Sequence, residues 1–500
     1  MILYRFLALS WIIAVVSAWS LTENSGSAED WPQFRGPAES GIITEKDLPS
    51  SWAKDKNIAW KISVPGVAWA SPIVWKNKIY LITAISDKQK KPTPFSYGGM
   101  GGKKGGGDKN NFSKDGKEGK GGFGKGDFSK DKEGKGGYGK GGSGKGGFGK
   151  GGKGGFGSQK APDAQYTWQL IALDLATGNE LWKSKLLERK PAIPIFPSNS
   201  YASETPATDG ERIYTYIGMH GIFCTDMTGK MIWKKELEAY KMMGGFGTGS
   251  SPIIDDKHIY VICDNEEKSF ILALDKKSGE QVWKKERKIG SSWSSPFIWK
   301  NAIRTELVAC GKSVVSYDPK TGETLWEMNG IDSGFSSTPV GNEQMIYFGT
   351  NGPMSRGPLF AVKAGAKGDI SLKEGEKSNE FIAWSRDRSG PGIASMLLVD
   401  SYLFVSGQAR VSCYNAATGK EYYQNERLEG AGGITASPWT YGGKVFFLDE
   451  NGATFAVNIG STFEVESPSK LTGMFWASPA VSSGSLLIRS SDELYCIRSK

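Results

Sequence analysis

An internal repeat constrains the fold of this chain more than any other feature of its sequence. In each copy, Asp or Asn precedes a Thr-Gly or Ser-Gly turn, and an aromatic residue ends the unit. Five copies are ALDLATGNELW (172–182), CTDMTGKMIW (224–233), ALDKKSGEQVW (273–283), SYDPKTGETLW (316–326) and CYNAATGKEYY (413–423). A recurring unit at intervals of tens of residues indicates a repeat architecture. The repeat therefore overrides the two or three domains that 500 residues alone would suggest.

A second pattern alternates with the first and brings the number of units to eight. A small residue, a Ser or Thr and usually a Pro lead into two hydrophobic runs at 70–82, 250–262, 294–303, 336–348, 436–448 and 477–488, with variants at 203–216 and 394–405. Short runs rich in β-branched and aromatic residues, separated by turn sequences such as DGE, TGK and ENG, predict four strands per unit. Four-stranded antiparallel units are propeller blades. The sequence therefore predicts an all-β, eight-bladed β-propeller over residues 57–500.

The two ends of the repeat region predict how the ring closes. The last unit stops after two further strands and lacks an outer strand, whereas an orphan outer strand, NIAWKIS (57–63), precedes the first unit. Pairing of this N-terminal strand with the last blade would remove two exposed sheet edges. We therefore expect the ring to be closed by the N-terminal strand.

The invariant residues of the repeat are predicted to build blades. Glycine in the turn supplies the positive φ that a tight hairpin needs. The aromatic residue falls on the outermost strand, where it can cover the seam to the next blade and bury about 150–250 Å². Its fixed place in every unit favours packing over ligand stacking. These aromatic residues are Trp60, Trp182, Trp233, Trp283, Trp326, Trp384 and Tyr422.

The N-terminus has the layout of a secretory signal peptide. Arg5 precedes the apolar run Phe6–Val16, and small residues follow up to Ala18. The run is shorter than the roughly 20 residues that a transmembrane helix needs. We expect cleavage after Ala18, with residue 28 as the alternative, and a lead-in over 29–56. The mature chain is then periplasmic or extracellular and has no transmembrane segment.

A glycine- and lysine-rich insert interrupts the first blade at residues 97–157. It contains 28 glycines, 14 lysines and six acidic residues, so its excess of 14 − 6 = 8 positive charges nearly equals the net charge of +9 of the chain. Such a composition predicts a disordered loop. The loop is either an inert insertion or a site for an anionic polysaccharide or a membrane surface, and nucleic acid is not expected as a partner.

The cysteines and histidines form no recognisable site. Five cysteines stand singly and are predicted to be small buried residues, with one disulfide bridge between two of them as the alternative. The two histidines, His220 and His258, are predicted to be structural. No paired carboxylates, nucleophile elbow or metal-binding motif indicates a hydrolase. The sequence therefore predicts no catalytic and no metal-binding residues.

The AxDxxTGxxxW units resemble those of pyrroloquinoline-quinone-like (PQQ-like) propellers over nearly all of residues 57–500 outside the insert. WPQFRGP (31–37) resembles the lead-in of many exported bacterial propellers of this family. Two branches are eight-bladed: the quinoprotein dehydrogenases and the outer-membrane assembly factor of the BamB type. The dehydrogenase branch implies a vicinal cysteine pair beside the quinone and acidic and amide ligands for calcium, and this sequence has no adjacent cysteines.

Strand order predicts where a ligand would bind. The connections into each inner strand and the loops between second and third strands should meet on one face, around the mouth of the channel. Residues just before the inner strands either plug the mouth or form an apolar rim for a peptide, a loop or an aromatic ligand. The predicted rim consists of Trp69, Trp293, Phe335, Ile393, Ile434 and Trp476, with Arg386 and Arg388 nearby.

These features favour an exported, non-enzymatic scaffold that binds an envelope protein or a polymer, without a cofactor and as a monomer. Two alternatives remain: an oxidoreductase that uses PQQ with calcium, and a surface or matrix protein whose basic insert binds an anionic polymer. The resemblance indicates the fold and leaves the function open, because the motif residues build blades.

Overall fold

The computed structural model describes residues 30–93, 160–331, 334–351 and 356–499. The predicted signal peptide, residues 1–18, and the predicted insert, residues 97–157, lie outside the described residues and stay predictions.

The described chain forms eight antiparallel sheets, which are the blades of the predicted all-β propeller. Blade 1 contains β2 (Ile73–Trp75), β3 (Lys78–Ile85), β4 (Tyr166–Asp174) and β5 (Glu180–Arg189); blade 2 contains β6 (Ala207–Thr208), β7 (Arg212–Ile217), β8 (Gly221–Asp226) and β9 (Met231–Glu236); blade 3 contains β10 (Ile253–Ile254), β11 (His258–Cys263), β12 (Phe270–Asp275) and β13 (Gln281–Glu286); blade 4 contains β14 (Phe297–Lys300), β15 (Thr305–Ala309), β16 (Val314–Tyr317) and β17 (Thr324–Met328).

The second half of the ring repeats this order. Blade 5 contains β18 (Val340–Gly341), β19 (Met345–Asn351), β20 (Arg356–Lys363) and β22 (Ile382–Arg386); blade 6 contains β23 (Leu397–Val399), β24 (Tyr402–Gly407), β25 (Arg410–Asn415) and β26 (Glu421–Arg427); blade 7 contains β27 (Trp439–Tyr441), β28 (Lys444–Leu448), β29 (Ala453–Asn458) and β30 (Ser469–Lys470); blade 8 contains β31 (Ala480–Ser482), β32 (Ser485–Arg489), β33 (Glu493–Ile497) and β1 (Ile58–Ser63). A short strand β21 (Gly368–Asp369) adds to β17 in parallel, and a 3-10 turn spans Met243–Gly245.

The ring closes as the sequence predicts. β1 pairs antiparallel with β33, from Ile58 opposite Ile497 to Ser63 opposite Glu493. Lys61 adds an ion pair to Glu493 at 2.7 Å. The last blade therefore takes its outer strand from the start of the repeat region.

A ring of hydroxyl groups ties the inner strands together. The backbone N–H of the Ser or Thr before one inner strand donates to the hydroxyl of the equivalent residue in the next blade. Seven such links, of 2.9–3.3 Å, join Ser71, Thr205, Ser251, Ser295, Thr338, Ser395, Ser437 and Ser478 in that order. The Ser or Thr that recurs before each inner strand thus links neighbouring blades by hydrogen bonds at the channel.

The seams between blades are covered by the repeated tryptophans. Each lies against the glycine of the next blade's turn, so a Cβ on that glycine would lie 2.6–2.9 Å from the indole ring; the pairs are Trp60 with Gly178, Trp182 with Gly229, Trp233 with Gly279, Trp283 with Gly322 and Trp384 with Gly419. Trp326 differs, since its indole N–H donates to the buried Glu306 carboxylate at 2.6 Å. In blade 6, Tyr423 pairs with Cys413 and occupies the equivalent position, whereas the sequence predicted Tyr422.

The lead-in crosses the inner strands at the channel end opposite the mouth. Trp31 pairs with Val74 of blade 1, and the carbonyl of Pro32 accepts a hydrogen bond from Thr208 of blade 2. Further contacts join Gln33 to Ile254, Glu39 to Ile298, Arg35 to Met396, Ile43 to Thr440 and Glu45 to Gly484. Residues 31–45 therefore contact seven blades, and we call them the N-terminal plug.

Candidate functional site

The mouth face carries the connections into each inner strand and the loops between second and third strands. Trp69 of blade 1 and Trp476 of blade 8 stack there, with ring centroids 5.6 Å apart and an interplanar angle of 27°. Trp69 is buried, and its indole N–H donates to the carbonyl of Ser198 at 2.8 Å. Trp476 is half-buried. The structure thus brings these two predicted rim residues into one stacked pair that covers the seam between blades 8 and 1.

A buried carboxyl group lies beside this pair. Burial, with the charge of Asp449 as a smaller cause, raises the pKa of Glu450 to about 7, although the nearby Trp476 indole opposes the shift. The carboxyl of Glu450 therefore changes charge near neutral pH, at the edge of the mouth.

A second aromatic group lies on the mouth face at blades 1 to 4. Phe196 and Phe246 stack at 4.9 Å, and Phe246 meets Trp293 edge-on at 5.9 Å. Met243 stands next to them with 44% of its surface exposed. We call Phe196, Met243, Phe246 and Trp293 the mouth-face cluster. Sequence reasoning found only Trp293, because the other three lie in long connections without a strand pattern.

Hydrogen bonds tie the connections that carry the cluster. The Asn199 side-chain amide donates to the carbonyl of Phe246 at 2.7 Å, and the Trp293 indole N–H donates to the carbonyl of Gly247 at 2.7 Å. The Trp293 backbone N–H donates to the carbonyl of Phe335 at 2.8 Å. The loops of the mouth face are therefore held in place by their neighbours, which lowers the entropy cost of binding a partner.

The side chains of the other predicted rim residues lie outside these two aromatic groups. Phe335 is fully buried in the core between blades 4 and 5, and Ile434 is buried in the core of blades 6 and 7, whereas Ile393 is half-buried. Arg386 turns toward blade 6 and pairs with Glu421 at 2.7 Å. Arg388 is exposed, with a left-handed φ of 50°. These residues do not join the stacked pair or the mouth-face cluster.

One buried guanidinium lies at the seam beneath the backbone of Ala70. Arg489 is fully buried and donates through Nη1 to the carbonyls of Ala70 at 3.0 Å and Ile82 at 2.9 Å. Its Nε and Nη2 atoms have no hydrogen-bond partner among the described residues. Burial lowers the pKa of Arg489 to about 9, because no carboxylate offsets the lost hydration.

The side chains do not form the donor set that the dehydrogenase branch implies. All five cysteines are buried, as predicted, and the structure pairs none of them in a disulfide; burial raises the pKa of the Cys224 and Cys413 thiols to about 12. Over residues 30–93, 160–331, 334–351 and 356–499, no three His, Cys, Asp or Glu side chains lie close enough to hold a metal ion. Arg489 offers donors to an anionic cofactor, but neither paired thiols nor calcium ligands accompany it, and the fit is incomplete.

His220 supports the structural role that the sequence predicts for it. It is buried against Trp168, with ring centroids 4.8 Å apart, and burial lowers its pKa to about 4. The imidazole ring is therefore neutral at physiological pH.

Among the described residues, the structure contains no helix with the length and apolar character of a membrane span.

Two of the three solved structures compared with this chain, both dehydrogenases, show the same fold. The quinohemoprotein alcohol dehydrogenase from Comamonas testosteroni is 12% identical, over 96% of this chain and 82% of the enzyme, with a TM-score of 0.56. A europium-containing methanol dehydrogenase is 11% identical, over 92% of this chain and 90% of the enzyme, with a TM-score of 0.51. BamB from Moraxella catarrhalis is 14% identical, over 68% of this chain and 90% of that protein, with a TM-score of 0.46.

Sequence comparison is more specific about the family. No curated protein sequence matches the chain significantly. A family model described as outer membrane protein assembly factor BamB matches residues 169–329 and 311–465, which together are more than half of the chain. With the AxDxxTGxxxW units and eight four-stranded blades in place, the chain belongs to this family of PQQ-like repeat β-propellers.

Proposed function

We propose that this chain is an exported, non-enzymatic scaffold that binds a partner protein of the cell envelope on its mouth face. The mouth-face cluster carries the proposal. Met243 is exposed and Phe196, Phe246 and Trp293 are half-buried, so apolar surface reaches solvent at one place on this face. Exposed aromatic and methionine side chains together are typical of protein contact surfaces.

The form of the channel supports one-sided binding. The N-terminal plug crosses the inner strands at one end, and the hydrogen-bonded loops of the mouth face lie at the other. A partner that contacts the cluster therefore meets a preformed surface. The family match to an assembly factor supports a protein partner, and the oligomeric state is expected to be monomeric.

The test uses two exposed residues of the same chemistry on opposite faces. Met243→Asp places a charge in the cluster, whereas Ile303→Asp places one on the β14–β15 turn, away from the mouth, where Ile303 is 65% exposed. We expect Met243→Asp to lower partner recovery in cross-linking from envelope extracts by about tenfold, because one buried charge costs more than 1.4 kcal/mol. Equal recovery with both variants would refute the mouth face as the binding surface.

The stacked pair needs a separate variant, because it either plugs the mouth or belongs to the binding surface. Replacing Trp69 and Trp476 by alanine distinguishes the two roles. Weaker partner binding with unchanged melting would assign the stacked pair to the binding surface. Loss of cooperative melting would show that the pair fills the channel mouth as part of the folded core.

A PQQ-dependent oxidoreductase is the second candidate, and the two unpaired donors of Arg489 are the observation that favours it. Titration with PQQ and calcium, followed by cofactor absorbance and dye-linked alcohol oxidation, tests it. Saturable binding with turnover would replace the scaffold proposal.

Binding of an anionic polymer by residues 97–157 is tested by comparing salt-dependent retention on an anionic matrix before and after deletion of these residues.

A further inference from the structure

Three arginines gather at the mouth end of the seam between blades 5 and 6. Arg356 begins β20, Arg410 begins β25 and Arg427 ends β26. Arg356 Nη1 donates to Asn425 Oδ1 at 3.0 Å, and Arg410 Nη1 donates to the backbone carbonyl of the same Asn425 at 2.6 Å. Arg410 and Arg427 are direct cross-strand partners. We call Arg356, Arg410 and Arg427 the arginine cluster.

The positive charge of this cluster is poorly neutralised by the protein itself. Like charges directly opposite on neighbouring strands are destabilising. Neither Arg356 nor Arg410 forms an ion pair within the described ranges, and Arg427 reaches only the exposed Glu429, at 3.6 Å. Exposed pairs of this kind contribute little. Burial and the nearby charge of Arg410 lower the pKa of Arg356, in that order of effect.

The cluster is also held in a fixed geometry. Arg356 Nη1 makes a second hydrogen bond, to the Ser412 hydroxyl at 3.2 Å, and its guanidinium lies against Gly407, where a Cβ would come within 2.9 Å of Nε. Arg356 Nη2 is buried and has no partner among the described side chains and backbone groups. Asn425, which accepts from both arginines, has a left-handed φ of 58°. Asparagine and aspartate are the non-glycine residues that adopt this region most readily, and Asn425 fixes both arginines from one position.

The neighbouring strand edge indicates what kind of ligand fits. β26 is the outermost strand of blade 6, and no described strand pairs with its outer edge. On blade 4 the equivalent edge of β17 accepts β21, with Gly368 opposite Trp326 and Asp369 opposite Glu327. The outer strand of blade 4 therefore pairs with a further short strand of the same chain, and addition of a strand to a sheet edge is a common mode of peptide recognition. Guanidinium forks bind carboxylates in bidentate fashion.

We propose that the arginine cluster binds the carboxylates of an acidic, extended segment of a partner protein, laid along the outer edge of β26. The inference rests on the proposed scaffold function and adds the chemistry of one contact. The Gln424 side chain on β26 contacts the Ser389 hydroxyl at 3.4 Å. Arg388 precedes Ser389 on the same connection and extends the basic surface.

The test is binding of a synthetic glutamate-rich peptide to the full chain by calorimetry. The double variant Arg410→Gln/Arg427→Gln removes two exposed charges. As a matched control, Lys234→Gln/Lys284→Gln removes two exposed charges from the outer strands of blades 2 and 3. We expect the arginine variant to weaken peptide binding by about tenfold or more, with unchanged melting, and the lysine variant to leave it within about twofold, because only the arginine cluster places guanidinium groups side by side across a strand pair.

Three results would overturn the proposal. The first is no peptide binding by the parent chain, and the second is equal weakening in both variants, which would indicate diffuse charge attraction. The third is preference for a polyuronate with the same arginine dependence, which would assign the cluster to a polysaccharide. None of these results bears on Met243→Asp, so failure here and failure of the scaffold function are distinguishable.

Discussion

At the scale of single residues, the turn glycine of one blade and the tryptophan of the preceding blade form the contact that repeats around the ring. Gly419 has a φ of 68°. A Cβ added to Gly419 would lie only 2.6 Å from the indole ring of Trp384. Trp384 Nε1 also donates to the carbonyl of Ala416 in the same turn, at 3.0 Å. Glycine is therefore required twice, once for the turn and once for the close approach of the ring.

Gly419→Ala and Gly430→Ala separate these two requirements. Both positions have a positive φ, but an added Cβ at Gly430 meets nothing within 4 Å. We expect Gly430→Ala to cost about 1 kcal/mol through backbone strain, and Gly419→Ala to cost about 1–3 kcal/mol more, because the indole must move. Denaturant unfolding measures both. Equal losses would show that the seam tolerates displacement of Trp384.

At the scale of secondary-structure elements, the outer strands of the blades differ in how their exposed edges are protected from association. The outer edge of blade 4 is covered by β21, and blade 8 receives β1 as its outer strand. The open outer strands β9 and β13 each carry exposed lysine, Lys234 and Lys284, which discourages edge-to-edge association. β26 ends in Arg427 instead, opposite Arg410 of β25, and the proposed peptide site lies there.

Removal of β1 tests ring closure as an element-scale property. A chain that begins at Val64 lacks β1, and a chain that begins at residue 57 keeps it, while both lack the N-terminal plug. We expect the shorter chain to lose on the order of 5 kcal/mol or to melt without cooperativity, because β33 becomes an exposed edge and Trp60 leaves Gly178. Thermal melting of the pair measures this. Coincident melting curves would contradict closure by β1.

At the scale of the whole molecule, residues before the first blade contribute to the ring as a whole. Arg35 of the N-terminal plug is buried within the ring and donates to the carbonyl of Met396 at 2.6 Å. Trp31 is buried and joins the core that also contains residues of blades 1, 7 and 8. The lead-in is therefore part of the folded ring, since it links blades that are far apart in sequence.

Trp31→Ala is expected to destabilise the whole ring. Large-to-small changes of a buried tryptophan cost about 3–5 kcal/mol, and here the lost contacts join several blades. Ile42→Ala, in the same segment but 40% exposed, is the control and should cost less than about 1 kcal/mol. Denaturant unfolding of both variants provides the measurement. An unchanged free energy of unfolding in Trp31→Ala would show that the N-terminal plug is attached to the ring without stabilising it.

Local sequence was sufficient for the blade architecture. A propeller blade contacts mainly its neighbours, so each copy of the repeat carries its own turn, its own strands and its own seam residue. The eight units, the pairing of β1 with β33 and the buried single cysteines were therefore predictable from residues 57–63, the AxDxxTGxxxW units and the last unit. The seam position of Tyr423 was missed because two adjacent tyrosines end that unit and only strand register separates them.

The surfaces of the ring depend on contacts between residues far apart in sequence. Phe196 meets Phe246, Arg356 meets Asn425, and Arg35 meets Met396 across distances that no local pattern encodes. The same holds for Arg386, which sequence order places near the mouth but which turns toward Glu421 of the next blade. Periodicity along the chain was enough to predict the repeat unit and the closed ring. The mouth-face cluster, the arginine cluster and the N-terminal plug could not be predicted in this way, because their residues meet only once the ring has closed.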